Sequence, residues 1–142
     1  MTAAPYADAS VRHLLQLVAD REPAPGGGPV SAVAVSLAAA LTAMAARYAA
    51  DDVDSDPLVA RADHLWRRAA QLADDDVCAY SAVLAAQASS REDDPAQRGQ
   101  RLRTALHGAA TVPLEIAELA AETATLAAGQ RRAPQRSTQN QP

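Results

Sequence analysis

Two stretches carry residue types that can do chemistry. The first is the run Asp74-Asp75-Asp76. Setting Asp76 at zero and advancing 100° per residue puts Leu58, Ala62, Leu65, Ala69, Leu72, Ala79, Tyr80 and Val83 within about 60° of it. On that projection Asp74 lies roughly opposite and is expected to be solvated, Asp75 flanks the apolar stripe, and Asp76 lies inside it. A carboxylate on an apolar stripe must be paired, hydrogen-bonded or neutralised, and a group so placed has a perturbed pKa suited to general acid/base work. The bland alternative is a helix end where the stripe no longer matters, but Ala79, Tyr80 and Val83 continue it past Asp76.

The second stretch is Pro25-Gly26-Gly27-Gly28-Pro29. Consecutive glycines flanked by prolines disfavour a helix interior, and bare backbone permits close approach of another group. From Pro29 to Ala46 the chain carries no formal charge and is nearly all Ala, Val, Leu and Met. The expectation is a glycine loop feeding the N-terminus of a buried, central helix, with free N–H groups and a positive dipole end to cradle a ligand. A tight turn where two helices cross explains the same residues.

The elements that must position these stretches are read as helices. Val11, Leu14, Leu15 and Val18 at helical spacing, with Ser10 as N-cap, give a first helix to about Asp20; His13 within it is read as a surface or edge residue. A second helix is expected from about Val30 to Ala50. Asp51-Asp52-Val53-Asp54-Ser55-Asp56 is an acidic linker that lacks the glycine and distal glutamate of a calcium loop. Asp56-Pro57 then caps a third helix to about Ser89. Asp94-Pro95 repeats the signal for a fourth helix, which Pro113 is expected to kink or restart. In its last part Glu115, Glu118 and Glu122 share an arc of about 60°, a narrow charged strip on an otherwise apolar helix.

The composition agrees with such packing. Of 142 residues, 49% are hydrophobic but only 3% aromatic, with no Phe, and about a quarter are alanine. Alanine is the best helix former and a poor core filler, so closely packed helices are favoured over sheets. The expected fold is all-α, an antiparallel bundle of about four to five long helices that dimerises through its alanine-rich helices. One helical domain is expected over residues 1–129, followed by a disordered Arg/Gln-rich tail over 130–142. A net charge of −4 argues against a nucleic-acid partner. The single cysteine, Cys78, allows no intramolecular disulfide, and no ligand spacing for a metal is present. The Val30–Ala46 stretch falls short of a membrane span, and the N-terminus has no secretory pattern, so a cytoplasmic location is expected.

Several motifs occur together, in order and at matching spacing. They are Glu22 with Pro25-Gly26-Gly27-Gly28-x-Val30-x-Ala32, then Met44, then Leu72-Ala73-Asp74-Asp75-Asp76-x-x-Ala79-Tyr80, then Asp94-Pro95, then Thr111-Val112-Pro113-Leu114. Over roughly Ser10 to Gly129 the chain resembles the cyclodeaminase/methenyltetrahydrofolate cyclohydrolase family. The resemblance implies an all-α homodimer that acts on a tetrahydrofolate derivative as substrate, without a metal. It implies either cyclisation of 5-formiminotetrahydrofolate with loss of ammonia or hydrolysis of 5,10-methenyltetrahydrofolate. The catalytic acid falls on Asp76 first and Asp74 second. Substrate contacts fall on Pro25, Gly26, Gly27, Gly28, Pro29, Tyr80 and Arg91. Three departures stand out: Pro29 where the family has Ser, Arg91 where it has Lys, and the Arg/Gln-rich stretch after Gly129 where it has a further loop and helices. A catalytically degenerate helical dimer serving as a binding or accessory subunit, or an acid/base catalyst on another small substrate, is the alternative that these departures leave open.

Overall fold

The structure, a computed structural model, describes residues 6–20, 26–48, 56–88 and 94–130. The expected tail from 131 onward and the acidic linker residues 51–55 lie outside those. A short 3-10 turn, Tyr6–Asp8, precedes four helices: α1 (Val11–Ala19), α2 (Gly27–Tyr48), α3 (Asp56–Ala88) and α4 (Pro95–Gln130). Among the described residues the fold is all-α, with three long helices and one short one where four to five long ones were expected.

Ser10 caps α1 as its type and position predict, its Oγ accepting the His13 N–H at 3.2 Å. α2 begins three residues earlier than the glycines suggested, at Gly27, with the Val30 N–H reaching Gly26 O. The first four N–H groups of a helix have no intrahelical acceptor, so Pro29 in the first turn forfeits no hydrogen bond. α4 also departs from expectation, running unbroken through Pro113. Pro113 is solvent-exposed, where water can satisfy the carbonyl that its ring leaves free. The Thr111 hydroxyl donates to Gly108 O in the same turn. Gln130 is the last helical residue of α4, and its Nε2 donates to Thr42 O on α2 at 3.0 Å.

Cross-links fix the order of the helices. α2 and α3 are antiparallel, with Arg47 paired to Asp63 at one end, Ser36 Oγ donating to Trp66 O in the middle, and Gly28 against Asp76 at the other. α3 and α4 are antiparallel as well, through Arg61 with Glu122 and Arg68 with Glu115 at 2.6 Å. The core is Ala32, Ala39, Leu65, Ala69, Leu72, Ala73, Ile116 and Leu119. Its alanines are what let Ser36 touch the backbone of the neighbouring helix.

α3, not α2, is the central helix, because it alone packs against the 3-10 turn, α2 and α4. α2 is buried on one face by Pro29, Ala32, Ala39, Thr42, Ala43 and Ala46. Its large side chains, Val30, Leu37, Leu41, Met44 and Tyr48, are exposed. Three long helices give each outer helix two neighbours, so among the described residues nothing covers the far side of α2. By length and composition α2 also meets the requirement for a membrane span.

The glutamate strip on α4 finds cationic partners on α3. Arg68 forks onto both Glu115 oxygens at 2.6 and 2.7 Å and also meets Asp75 at 3.0 Å. The hydrogen bonds from Arg68 hold Glu115 below the ordinary glutamate range, against a smaller opposing effect of burial; those from Arg61 do the same for Glu122. A depressed folded-state pKa contributes stability that is complete above the unfolded value, 4.5 for glutamate, and is lost as pH falls through the lower folded value. Urea denaturation of Glu115→Gln should therefore show a loss of roughly 0.5–1 kcal/mol at pH 6, modest because the pair is partly solvated. The same variant should have a shallower loss of stability than wild type between pH 5 and pH 3.

Candidate functional site

Three consecutive aspartates on one helix point 100° apart, and each meets a different environment. Asp75 is exposed and pairs with Arg68. Asp74 is half-buried and accepts the Tyr6 N–H at 2.8 Å on Oδ1. Its expected solvation is thus corrected: the 3-10 turn packs on that side of α3, with Tyr6 lying against the core. Asp76 is half-buried, and no hydrogen bond to its carboxylate is found among the described residues. Burial without a partner pushes its pKa above the ordinary aspartate value.

The glycine turn explains how Asp76 becomes buried. A Cβ built on Gly28 would fall on the Asp76 carboxylate, whereas one built on Gly27 would meet nothing. Neither glycine has a positive φ, so the demand at Gly28 is for close approach and not for a left-handed backbone. The start of α2 thus lies directly on the acid, with its free N–H groups and positive dipole end nearby.

A cavity of about 260 Å³ opens at this contact. The turn Gly26 to Pro29 forms one side, and Asp76, Val77, Tyr80, Ser81 and Leu84 of α3 form the other. Pro29 is fully buried at its base. Tyr80 and Leu84, on the turns beyond Asp76, are half-exposed and make an aromatic and an aliphatic wall. Sequence reasoning placed Asp76, Gly26, Gly27, Gly28, Pro29 and Tyr80, and the structure gathers all six around one opening. Asp74 belongs to the same turn of α3 but is not among the residues lining the cavity. Pro25 and Arg91 lie outside the described residues. Val77, Ser81 and Leu84 line the cavity but were not singled out as site residues. At about 100° per residue Val77 and Leu84 fall at the edge of the Asp76 stripe and Ser81 falls nearly opposite it, so periodicity gave no signal for Ser81. The Tyr6 contact, across 68 residues, leaves no local signal. A larger groove of about 800 Å³ between α2 and α4 has only Ala, Val, Leu, Thr and Gln side chains along it, and no acid or base. The buried acid lines the smaller cavity instead.

A glycine turn seated on a half-buried, unpaired aspartate agrees with the motif pattern, and comparison with known families decides the point. The profile described as formiminotransferase-cyclodeaminase matches residues 10–137. The chain belongs to that family. The match takes in α1 to α4 together with the whole Asp76 cavity, and it extends past Gly129 into the Arg/Gln-rich stretch. Family membership sets the chain in the context of folate one-carbon metabolism. No curated protein matches the chain.

Proposed function

We propose that the chain is a folate one-carbon enzyme that hydrolyses 5,10-methenyltetrahydrofolate or forms it from 5-formiminotetrahydrofolate, with Asp76 as the general acid/base. The observation that carries this reading is the half-buried Asp76 carboxylate, which has no hydrogen-bond partner among the described residues and faces a cavity roofed by bare glycine backbone. Membership of the formiminotransferase-cyclodeaminase family supports the substrate class.

Both reactions pass through a one-carbon unit bonded to two nitrogens, with a proton delivered to or taken from the atom that leaves or attacks. In hydrolysis the ionised Asp76 takes a proton from water as the oxygen bonds to the cationic methenyl carbon. Returning that proton to N5 as the carbon–nitrogen bond breaks, with the remaining hydroxyl proton lost to solvent as the C=O forms, yields 10-formyltetrahydrofolate. In the deamination direction protonated Asp76 gives its proton to the formimino nitrogen as N10 attacks the formimino carbon; the carboxylate then takes the N10 proton and passes it to the same nitrogen, which leaves as ammonia. A carboxylate whose pKa is raised toward neutrality suits either role. Its negative charge, weakly screened in a half-buried site, also stabilises the cationic carbon. Exposed N–H groups at the start of α2 offer donors to the pterin carbonyl, and Tyr80 offers a ring face beside it. No residue role here calls for a metal. A homodimer is the proposed assembly, supported by the uncovered apolar face of α2.

Turnover of methenyltetrahydrofolate, followed by loss of its absorbance, together with ammonia release from formiminotetrahydrofolate, tests the reading. Activity above the spontaneous rate in either assay is expected. Folate binding in calorimetry with neither activity would instead make the chain a binding subunit. The two aspartates are separable in the same assay. Asp74 is held by the Tyr6 amide, so Asp74→Ala should lower the melting temperature, consistent with loss of a hydrogen bond worth about 1 kcal/mol, while leaving the acid limb of the pH–rate profile where wild type has it. A profile shifted as strongly as by substitution of Asp76 would return Asp74 to the catalytic machinery.

A further inference from the structure

We infer that Ser81 is a substrate-binding residue of the Asp76 cavity, holding the lactam edge of the pteridine ring while Asp76 works on the one-carbon unit. The inference rests on the folate reading proposed above and names the part of the substrate that this rim of the cavity takes.

Around α3, Tyr80 stands about 40° from Asp76, Leu84 about 80°, Val77 about 100° and Ser81 about 140°. All five line the cavity, so its α3 wall runs from a carboxylate, across an apolar middle, to a hydroxyl. Ser81 is exposed, and no hydrogen bond to its hydroxyl is found among the described residues. Other hydroxyls on these helices are occupied. Thr42, Thr111, Thr123 and Thr125 each donate to a carbonyl three or four residues back, which satisfies the donor locally. Ser81 makes no such bond to Val77 O, and its donor and acceptor sites are left to the cavity.

The separation of the two polar ends decides what Ser81 can do. Five residues along a helix put the Cα atoms about 9 Å apart, and the side chains diverge, so carboxylate and hydroxyl stand roughly 10 Å apart. One water cannot bridge that gap, since two hydrogen bonds reach only about 6 Å. Ser81 therefore takes no part in a proton relay with Asp76. A bound ring system can span it. Allowing about 3 Å of hydrogen bond at each end leaves roughly 4 Å between the two ligand atoms held. In a reduced pteridine the lactam N–H lies three bonds from N5, and three extended bonds cover about that distance. The aminobenzoyl-glutamate end lies much farther from N5 and does not fit the interval. A serine hydroxyl both donates and accepts, which suits an edge where N–H and C=O stand side by side. Tyr80 and Leu84 then cover the ring between the two polar ends. The cavity volume of about 260 Å³ is below the roughly 300 Å³ at which pockets for whole drug-sized ligands begin, and so suits the ring head alone.

Calorimetric titration with 5-formyltetrahydrofolate and with 6-methyltetrahydropterin, which has the ring but no aminobenzoyl-glutamate, tests this. Ser81→Val should weaken both ligands by the same factor, about three- to tenfold, the worth of one partly solvated hydrogen bond. Ser81→Thr matches valine in size and branching but keeps a hydroxyl, and should bind both ligands much as wild type does. In turnover the loss in Ser81→Val should appear in KM, as for a contact made equally in ground and transition states, with the acid limb of the pH–rate profile where wild type has it. Equal affinities in the Thr and Val variants would overturn the inference. So would a penalty confined to 5-formyltetrahydrofolate, or wild type that binds it but not the pterin, because either result puts the contact on the tail. An acid limb moved by Ser81→Val would overturn it too, by placing the serine in the proton relay. Wild type that binds neither ligand would defeat the folate reading itself, and this inference with it.

Discussion

Asp76→Asn should abolish turnover while making the protein more stable. The amide is nearly isosteric with the acid but can neither accept nor return a proton, so kcat for methenyltetrahydrofolate hydrolysis should fall by about 10²–10⁴, the usual worth of a positioned acid/base. The stability change runs the other way. Burial raises the folded-state pKa of Asp76, which means that the folded chain holds its proton more tightly than the unfolded chain. The contribution of such a group is favourable below the unfolded value, 3.8 for aspartate, and is lost as pH rises through the higher folded value. At pH 7 the ionised carboxylate is therefore a cost, and the neutral amide removes it. The group is partly solvated, so the gain is discounted, and Tm should rise by about 1–3 °C. Melting curves at pH 7 and pH 4 check the sign, because the difference between variant and wild type should shrink at the lower pH. In wild type the acid limb of kcat/KM should lie above the ordinary aspartate range. A variant that loses stability along with activity would mean that Asp76 holds the fold together and is not held in readiness by it.

The stripe of Leu65, Ala69 and Leu72 that located Asp76 is the stripe that the structure buries, and the position of the acid followed from it alone. Helix starts at Val11, Asp56 and Pro95 were legible because Ser10, Asp56-Pro57 and Asp94-Pro95 satisfy local demands of a first turn. Local rules misplaced the start of α2 and the supposed break at Pro113 for a common reason. Proline's penalty is a hydrogen bond lost in a helix interior, and both prolines escape it, through orphan N–H groups at Pro29 and solvent at Pro113. Glycine's is an entropic cost that the chain bears at Gly28 for close approach to Asp76. The environment of Asp74 depends on Tyr6, far away in sequence and on a turn with no periodicity. The coverage of α2 failed for another reason. An uncharged helix reads as buried all round, but the pattern does not say which of its apolar faces the rest of the same chain covers.

Gly28→Ala should damage the site more than its size suggests. The new methyl would occupy the position of the Asp76 carboxylate, and the first turn of α2 has little freedom to retreat because the adjoining Pro29 is fully buried. Either α2 lifts off α3 at that end or Asp76 rotates out into solvent, and overpacking of this kind costs roughly 1–3 kcal/mol. Gly27→Ala is the matched comparison. Its Cβ meets nothing and its φ is not in the left-handed range, so it should stabilise the chain by roughly 0.5–1 kcal/mol through helix propensity. Opposite signs at adjacent glycines would show that the turn is bare because an acid sits under one residue, and not because the chain must bend there. The kinetic consequence separates the two ways of relieving the clash. If Asp76 is pushed into water, its pKa returns toward the ordinary aspartate value and the acid limb of the pH–rate profile moves down with it, while kcat falls. If α2 lifts instead, the limb keeps its position and the loss appears in KM, through the N–H groups that no longer reach the substrate. An unchanged profile with unchanged KM and kcat would mean that the glycine contact takes no part in the chemistry.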